Sequence, residues 1–566
     1  MTLSGIFQII VYCIVLILLI KPLGLYMARV FNHEFTLLDP ILCPLEKLFY
    51  KLCGISLKKE HDWIQYAQAM LVFNLIGVIV LYLILRLQNI LPFNPDKFLA
   101  ISPDLAFNIA VSFVSNTNWQ SYTGENTISY FTEMLGFTVQ NFLSAATGIS
   151  LAVAFIRAFS REQTSTLGNF WVDVVRSTLW ILLPLSFALS IVFIFEGVPQ
   201  NLNSYVTART IEGKVHTIPQ GPIASRESIK EIGTNGGGFL NANSAHPYEN
   251  PTPLTNLLQM LAIFLIGAAL TNTFGRMVKD ERQGWTLFVS MLALFLIGVL
   301  VTYFYEAHGN PLLKGLCIGG NMEGKEVRFG IVDSALYSII TTCASCGAVN
   351  SMHDSFLPLG GIFSLINIML GEIIVGGVGS GFYGILLFAI MAVFIAGLMV
   401  GRTPEYLGKK IETKEMKMTV LAILILPLCV HCFSALACIT TWGIQGPLNK
   451  GPHGFSEIIY AFSSASGNNG SAFAGINANT FFYNITTGLA MLIGRFLVIV
   501  PTMAVAGSLV RKKIIPSSSG TLPTTDLTFV ILLILVILTV GGLVYFPALS
   551  LGPIVEHFLM INGKTF

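Results

Sequence analysis

Four short clusters of uncharged polar residues and glycine carry the chemistry that this sequence offers. The second cluster is the most distinctive and lies within the run EIGTNGGGFLNANSAHPYENP, residues 231–251. Its Thr234, Asn235 and Gly236 can present main-chain carbonyls and hydroxyls, which are the groups that replace the water shell of an ion in a filter. Hydrophobic runs flank the segment, and lipid cannot satisfy free backbone groups. We therefore expect a turn at membrane depth that lines a watery cavity.

The other three clusters have the same layout: a short amphipathic run, the polar cluster, and then a long apolar segment. They are residues 115–118 (Ser-Asn-Thr-Asn), 342–347 (Thr-Cys-Ala-Ser-Cys-Gly) and 464–470 (Ser-Ala-Ser-Gly-Asn-Asn-Gly). Four copies in one chain predict an internal fourfold repeat. Short helices that end at a common axis place the negative ends of their dipoles there, which favours a cation. The clusters contain no Asp or Glu, which favours a weakly hydrated monovalent cation over calcium or magnesium.

Cys343 and Cys346 in the third cluster have the spacing of a redox or metal-binding pair. A thioredoxin-like pair needs a βαβ context, and a zinc site needs two further ligands nearby; the surrounding sequence supplies neither. We interpret the pair as filter backbone with small side chains. A polytopic membrane enzyme that uses Cys343, Cys346, His353 and Asp354 remains an alternative of another class.

A glycine-rich break predicts an obstruction below the clusters. Glu372 lies in an apolar segment, four residues before the run Gly376-Gly377-Val378-Gly379-Ser380-Gly381. A helix does not easily continue through so many glycines, so we expect residues 376–381 to cross the pore as a loop, which would use the freedom of Gly376, Gly377 and Gly379. A simple packing kink is the alternative.

Arg495 lies near the middle of another apolar segment. A charge at that depth costs at least a few kcal/mol and normally faces the bundle interior with a partner. We expect Glu372 to be its counter-charge and the positive charge to bar free passage of cations. A structural ion pair without a transport role is the alternative.

The elements that must position these residues are membrane helices. Of the 566 residues, 54% are hydrophobic and only 11% are charged, which identifies a polytopic membrane protein. With about 20 apolar residues per crossing, we predict ten spans if residues 357–401 are one interrupted element. The predicted spans are residues 5–28, 63–87, 128–157, 172–195, 253–274, 283–305, 357–401, 417–439, 480–505 and 527–548.

The predicted fold is all-α, with four membrane-pore-membrane repeats around a central selectivity filter and one extra helix at each end. We place the extra helices at residues 1–30 and 525–550, and the repeats at 60–160, 170–275, 280–402 and 415–510. More than half of the 32 Lys and Arg residues fall in loops on one predicted side. The positive-inside rule then predicts that both termini and all four clusters face away from the cytoplasm.

Five long motifs resemble those of the family of channel-like, potassium-binding subunits of the Kdp potassium-transporting ATPase. They are SNTNWQSYTGE, GTNGGGFLNANSAHPYENP, SCGAVNSMHDSF, ASGNNGSAFAG and GRTPEYLGKK, and the resemblance covers essentially the whole chain. It implies the fold of the superfamily of potassium transporters, K⁺ as the transported ion, and the bacterial cytoplasmic membrane as the location. It also implies three partners: a P-type ATPase catalytic subunit that uses ATP and Mg²⁺, a small single-span subunit, and a single-span accessory subunit.

The resemblance also implies roles for individual residues. The implied K⁺ filter consists of Asn116, Thr117, Asn118, Thr234, Asn235, Gly236, Ser345, Cys346, Gly347, Gly467 and Asn468. Gln120 resembles a filter-supporting position. The first repeat has Asn-Thr-Asn where a potassium filter is expected to have a glycine, which leaves its backbone geometry open. Arg402, Glu405 and Lys409 are implied to meet the ATPase subunit, whereas a basic anchor on the cytoplasmic side is the alternative.

Energy coupling is not predicted within this chain. Residues 319–325 have the spacing of a phosphate-binding loop, but Glu326 replaces the Ser or Thr that would hold magnesium, and the sequence DKTG does not occur. We predict a channel-like subunit without a catalytic site, from which the ion leaves sideways toward an ATP-hydrolysing partner. A stand-alone K⁺ channel or Na⁺-coupled K⁺ symporter of the same superfamily is the alternative.

Overall fold

Apolar sequence at membrane depth must satisfy its backbone internally, and helices do so. The computed structural model describes residues 1–313, 319–401, 403–516 and 521–564, so Arg402 lies outside the described residues. The α-helices in those residues are α1 (Leu3–Phe31), α2 (Asp39–Cys53), α3 (Trp63–Leu87), α4 (Pro103–Val114), α5 (Gly124–Thr127), α6 (Val139–Ser160), α7 (Phe170–Arg176), α8 (Leu183–Phe195), α9 (Ile223–Ile232), α10 (Pro253–Met277), α11 (Glu281–His308), α12 (Gly330–Cys343), α13 (Pro358–Met369), α14 (Ser380–Val400), α15 (Thr413–Ile439), α16 (Thr441–Ile444), α17 (Gly451–Ser466), α18 (Phe481–Leu492), α19 (Val498–Leu509), α20 (Leu527–Leu549) and α21 (Val555–Ile561).

Short π-helical turns join several of these helices into longer units. They are Thr132–Thr138 before α6, Ser177–Leu182 between α7 and α8, Ile493–Leu497 between α18 and α19, and Ser550–Ile554 between α20 and α21. The 3₁₀ turns are Asn243–Ala245, Pro311–Leu313 and His353–Ser355. Three short antiparallel pairs complete the fold: β1 (His61–Asp62) with β2 (Thr166–Gly168), β3 (Val206–Arg209) with β4 (Val215–Ile218), and β5 (Glu405–Tyr406) with β6 (Lys409–Lys410).

Ten helical units in the described residues are long and apolar enough to cross a membrane, which confirms the predicted number. They are Leu3–Phe31, Trp63–Leu87, Thr132–Ser160, Phe170–Phe195, Pro253–Met277, Glu281–Leu313, Ser380–Val400, Thr413–Ile439, Phe481–Leu509 and Leu527–Ile561. The units containing α6 and α10 are mostly buried within the protein, whereas only 33%, 22% and 28% of the residues are buried in the most apolar parts of those containing α1, α3 and α20. The first two therefore form the centre of the bundle.

Four short helices, α4, α9, α12 and α17, are almost wholly buried and end inside the bundle. Each packs against the long helices that precede and follow it in the chain or against their immediate neighbours. We call them the pore helices, and we call the side on which they begin the filter side of the molecule. Their direction places four helix C-termini, with their partial negative charges, toward the interior.

The interrupted element at residues 357–401 is present, but its break lies earlier than predicted. The helix α13 ends at Met369, and the chain turns at Gly371 and Glu372, which have φ angles of 80° and 63°. Glu372 was predicted to lie within a helical span, and this is wrong: it lies in the turn. The left-handed conformation at Gly371 ends the helix before the run of glycines begins.

Candidate functional site

The chain leaves each pore helix in the same way and so forms four equivalent loops. The residue after each helix cap has a positive φ, and so does the residue two positions later. The paired φ values are 65° and 52° at Asn116 and Asn118, 47° and 83° at Thr234 and Gly236, 53° and 82° at Ser345 and Gly347, and 56° and 89° at Asn468 and Gly470. We call residues 116–118, 234–236, 345–347 and 468–470 the filter loops. Such alternation turns successive carbonyls toward one side, as an ion filter needs.

The filter loops meet around one axis. An added Cβ at the third residue of loops two, three and four would overlap a main-chain carbonyl oxygen at the middle position of the next loop. The overlapping pairs are Gly236 with Cys346, Gly347 with Asn469, and Gly470 with Thr117. The loops therefore follow one another in chain order around a closed ring, and their middle carbonyls lie close to its centre.

The first loop reaches this geometry without glycine. Asn116 and Asn118 both occupy the left-handed region, which asparagine tolerates better than most residues because its short side chain can form local hydrogen bonds. The Asn118 Nδ2 donates to Asn141 Oδ1 over 2.8 Å, so this side chain is held by α6. The Asn-Thr-Asn sequence is therefore compatible with the same backbone path as the other loops.

The fourth loop lies one residue further along the chain than the sequence analysis placed it. Gly467 has a φ of −77° and is the C-cap of α17, the position that Ser115, Gly233 and Ala344 hold after the other pore helices. Asn468 is the first residue of the loop, and Asn469 and Gly470 complete it. Comparison of Gly233-Thr-Asn-Gly with Gly467-Asn-Asn-Gly would have revealed this register from the sequence.

Side-chain hydrogen bonds fix the loops to one another. The Asn116 Nδ2 donates to the carbonyl of Thr234 over 3.0 Å. The Ser345 Oγ donates to the carbonyl of Gly467 over 3.1 Å, and the Asn468 Nδ2 donates to Thr117 Oγ1 over 3.0 Å. Because these bonds join loop one to two, three to four, and four to one, the ring is held as a unit.

Two polar side chains support the second loop on its filter side. The Gln120 Nε2 donates to the carbonyl of Gly238 over 2.9 Å, a position compatible with the supporting role expected from the sequence. The Asn243 Nδ2 donates to the carbonyl of Gly236 over 2.6 Å. The sequence analysis missed Asn243, which lies in the same long motif but seven residues beyond the loop.

A buried charge cluster lies behind the second loop, and the sequence analysis also missed it. The Lys230 Nζ lies 2.8 Å from Glu227 Oε2, 2.8 Å from Glu249 Oε2 and 3.3 Å from Glu231 Oε1. It also donates to Asn243 Oδ1 over 2.8 Å, which connects the cluster to the loop. Three carboxyl groups surround one ammonium group. The pattern SRESIKEI, a charged run in a charge-poor chain, was the available signal.

The turn between α13 and α14, residues 370–379, lies directly behind the filter loops. The Val378 amide donates to Thr234 Oγ1 over 3.1 Å, and a Cβ at Gly377 would lie 3.2 Å from the carbonyl of Ala344. A Cβ at Gly379 would overlap the carbonyl of Gly148 on α6. The turn therefore packs against the C-terminal ends of two pore helices, at the position predicted for a crossing loop.

Glu372 and Arg495 do not form the ion pair that the sequence analysis expected. Glu372 accepts hydrogen bonds from the hydroxyls of Ser345 and Ser380, and no Arg495 atom lies within 4.0 Å of it among the described ion pairs. The Arg495 Nη2 instead donates weakly to the carbonyl of Ser144 over 3.4 Å. Two serine hydroxyls contact the Glu372 carboxyl group directly, whereas Arg495 is a buried positive charge that attracts it without a direct contact.

A cavity of about 100 Å³ lies beside these residues. Its lining includes Asn468, Glu372 and Arg495, and also Gly541 and Val544 of α20. The cavity therefore reaches from the last filter loop to an outer helix.

Two of the residues predicted to contact a partner, Lys409 and Glu405, differ in how far they are buried. Lys409 is completely buried, and its Nζ donates to the carbonyls of Ala158 over 2.7 Å, of Leu509 over 2.8 Å, and of Arg161. Its prediction as a contact residue is wrong within this chain, because the charge is used to cap the ends of α6 and α19. Glu405 is half-buried, and its contact with the ATPase subunit remains a prediction.

The residues of the enzyme alternative are not brought together. The Cys346 thiol is buried, and its Sγ donates to Glu231 Oε2 over 3.6 Å. Burial lowers the pKa of His353 to about 3, and its Nδ1 hydrogen-bonds to Tyr460. Asp354 instead bonds to His453. In the described structure, these groups form no nucleophile-base pair.

The ten spans, four pore helices and one ring of filter loops in the described residues define a pore-loop membrane protein with four repeats in a single chain. A family model described as KdpA, potassium-transporting ATPase A subunit, matches residues 10–558, and the chain belongs to this family. The resemblance given by the motifs is thereby confirmed.

Two relatives agree with this assignment, and a solved structure shares the fold. Potassium-transporting ATPase potassium-binding subunits of Methylorubrum extorquens and Brucella anthropi are each 59% identical over 567 residues. The matches cover 100% of this chain, and 99% and 100% of those two proteins. The crystal structure of the potassium transporter TrkH from Vibrio parahaemolyticus shares the fold, with a TM-score of 0.50 and 14% identity over 85% of this chain and 97% of that chain.

Proposed function

We propose that this chain binds and selects K⁺ with its four filter loops and delivers the ion to an ATP-hydrolysing partner. The observation that carries the proposal is the closed ring of filter loops, in which the third residue of one loop contacts the middle carbonyl of the next. Ring closure by a single chain provides several uncharged oxygens around one position, as desolvation of a monovalent cation requires.

The electrostatics of the site favour a monovalent cation. Four helix C-termini point toward the ring, and their partial charges attract a cation without a formal carboxylate in the loops. A weakly hydrated ion such as K⁺ can exchange its water shell for carbonyls, whereas calcium and magnesium usually bind carboxylates or keep water.

The region behind the filter supports a sideways route. The turn at residues 370–379 and the charge of Arg495 would oppose direct passage along the axis. The cavity that extends from Asn468 toward Val544 offers another path. We propose that K⁺ enters the filter, passes Glu372 and leaves through this cavity toward the partner.

The names of the relatives support the partner assignment, because those proteins are potassium-binding subunits of ATPases. We propose three partners: a P-type ATPase catalytic subunit that uses ATP and Mg²⁺, a small single-span subunit, and a single-span accessory subunit. We place the assembly in the bacterial cytoplasmic membrane, with both termini and the filter side outside the cytoplasm, because the basic loops lie on the opposite side.

The test is K⁺-dependent ATP hydrolysis by the assembly purified through a tag on this chain. We expect a P-type ATPase to copurify, hydrolysis to rise with K⁺, and ion uptake by proteoliposomes to require ATP. The matched comparison is this chain reconstituted alone. Passive K⁺ flux of equal rate without partner or nucleotide would overturn the proposal and favour a stand-alone channel, and flux that follows a Na⁺ gradient would favour a symporter.

A further inference from the structure

A second group of potential ligands lies on the filter side, apart from the ion filter. Both nitrogens of His453 face carboxylates: Nε2 lies 2.9 Å from Asp354 Oδ1, and Nδ1 lies 2.7 Å from Glu556 Oε1. Glu457, one helical turn further along α17, places its Oε1 4.0 Å from the same Nε2. The ligand atoms of Asp354, His453 and Glu457 all lie within 4.8 Å of one another.

The charge of this group is unbalanced. The Glu457 carboxylate is completely buried and accepts a hydrogen bond of 2.7 Å from Asn449 Nδ2, but its ion-pair partner among the described residues is the His453 ring. Three carboxyl groups therefore surround one imidazole. Buried carboxylates without full charge compensation are typical of sites that bind a metal ion.

We propose that Asp354, His453 and Glu457 bind one Zn²⁺ ion. A histidine nitrogen and two carboxylate oxygens are the ligand types that zinc takes in sites with an open fourth position. His453 and Glu457 are four residues apart on α17 and so lie on one face of the helix. Asp354 comes from the 3₁₀ turn after the third filter loop, so the ligands would join two repeats.

Two further features fit a metal site. Glu556 contacts the other nitrogen of His453, and a carboxylate in this position commonly orients a zinc-binding histidine. A Cβ at Gly475 would overlap Glu457 Oε1 and lie 2.8 Å from Asp354 Oδ1, so a glycine is needed here for both carboxylates to approach one point. A metal ion would bind at Nε2 in place of the hydrogen bond to Asp354.

An entry path is present. An open pocket of about 320 Å³ is lined by Asp354, His453 and Glu556, and also by Asn449 and Lys564. The site is separate from the filter, because His453 precedes the end of α17 by 13 residues, or about 20 Å at 1.5 Å per residue. Bound zinc would link the third repeat, through Asp354, to the pore helix α17, and Glu556 would connect α21 to the same site through His453.

The first measurement is equilibrium Zn²⁺ binding to the detergent-solubilised full assembly at pH 8, where Zn²⁺ must displace the proton that Asp354 and Glu556 hold on His453. We expect one Zn²⁺ at this site, at least tenfold weaker binding in His453→Gln and in Glu457→Gln, and 10- to 100-fold weaker binding in Glu556→Gln. The matched control is His216→Gln, which changes an exposed histidine of β4 and should leave this affinity unchanged.

A second measurement keeps the proposal falsifiable where a variant folds poorly. Zn²⁺ should raise the thermal unfolding midpoint of the wild-type assembly in a concentration-dependent way, and Co²⁺ should give the visible absorption of a tetrahedral site. Equal Zn²⁺ affinity in wild type and His453→Gln, or the absence of both Zn²⁺ stabilisation and a Co²⁺ spectrum in wild type, would overturn it. The group would then be only a hydrogen-bonded brace.

Discussion

The third residue of each filter loop limits how closely the loops approach one another. At Gly236 two independent requirements coincide: the φ of 83° suits glycine, and an added Cβ would overlap the Cys346 carbonyl. Asn118 shows that a side chain is tolerated in the first loop, where Asn141 holds it away from the ring. The constraint at Gly236 therefore comes from the neighbouring loop as much as from its own backbone.

We predict that Gly236→Ser weakens the apparent K⁺ affinity by at least tenfold and lets Rb⁺ or NH₄⁺ stimulate activity more effectively. The added side chain must displace the Cys346 carbonyl and so changes the size of the ring. The measurement is ATP hydrolysis by the assembly as a function of each cation.

The control for this substitution is Gly213→Ser. Gly213 has a φ of 80° in the β3–β4 turn, and no heavy atom of the described residues lies within 4 Å of an added Cβ, so the backbone strain is similar and the filter is not touched. Unchanged cation preference in Gly236→Ser, or an equal change in Gly213→Ser, would contradict the assignment of Gly236 to the filter.

Among the secondary-structure elements, the short β5–β6 hairpin contributes to the fold through one side chain. Lys409 inserts its ammonium group between the ends of α6 and α19, helices of the first and fourth predicted repeats. Those carbonyls lack partners within their own helices, and a cation at a helix C-terminus is favourable. The hairpin thus joins distant parts of the chain on the side opposite the filter.

We predict that Lys409→Met lowers the free energy of unfolding by about 2 kcal/mol, since it removes the ammonium donor from the carbonyls of Ala158 and Arg161. Lys410→Met is the control, because Lys410 is the next residue and is exposed. Thermal unfolding of the detergent-solubilised protein measures both. Equal stability of the two variants would show that the Lys409 contacts contribute little.

The pore helix α12 carries a carboxyl group that is costly to bury. Burial raises the pKa of Asp333 to about 6, from an ordinary value of 3.8. Between these two values the folded state keeps a proton that the unfolded state has lost, so the stability contribution of Asp333 falls as pH rises from about 4 to about 6.

We predict that Asp333→Asn becomes more stable relative to wild type as pH rises through this window, with a constant advantage above about pH 6. Unfolding midpoints measured from about pH 4 to about pH 8 give the difference. Glu212→Gln on the exposed β3–β4 turn should show a small trend of the opposite sign, because hydrogen bonds within the turn lower the pKa of Glu212. A pH-independent difference for Asp333→Asn would argue that its carboxyl group is not destabilised by burial.

At the scale of the whole molecule, the proposed filter and the proposed exit route lie in different places. The filter loops meet around one axis, and the cavity lined by Glu372 and Arg495 also reaches Val544 of α20. The proposed route depends on the turn at residues 370–379, which packs against the ends of α9 and α12. An assembly built in this way can bind an ion at one site and pass it to a second polypeptide.

We predict that Val544→Trp lowers K⁺-stimulated turnover by at least tenfold while the K⁺ concentration at half-saturation changes little. The larger side chain would fill the cavity without reaching the filter loops. Leu543→Trp is the control, because Leu543 is 80% exposed on the outer face of the same helix. Normal turnover in Val544→Trp would exclude the cavity as the exit route.

Local features of the sequence determined the spans, the short pore helices and the positions of the polar loops that follow them. The length of a hydrophobic run indicates a membrane crossing. Where Gly, Asn, Ser and Thr interrupt such a run, they indicate irregular backbone. Thr234, Asn235 and Gly236 could therefore be placed in a loop without any knowledge of packing. The fourth loop was displaced by one residue, since the exact end of a helix depends on its cap and not on composition.

Only the tertiary structure decided which groups meet. Glu372 contacts two serines and not Arg495, Lys409 is buried against carbonyls, and Lys230 collects three carboxylates that include the distant Glu249. Such pairings join residues far apart in the chain. Which residues pair depends on the orientation of the packed helices. Hydrophobic periodicity shows which residues are apolar, but it does not show which polar side chains face each other across the bundle.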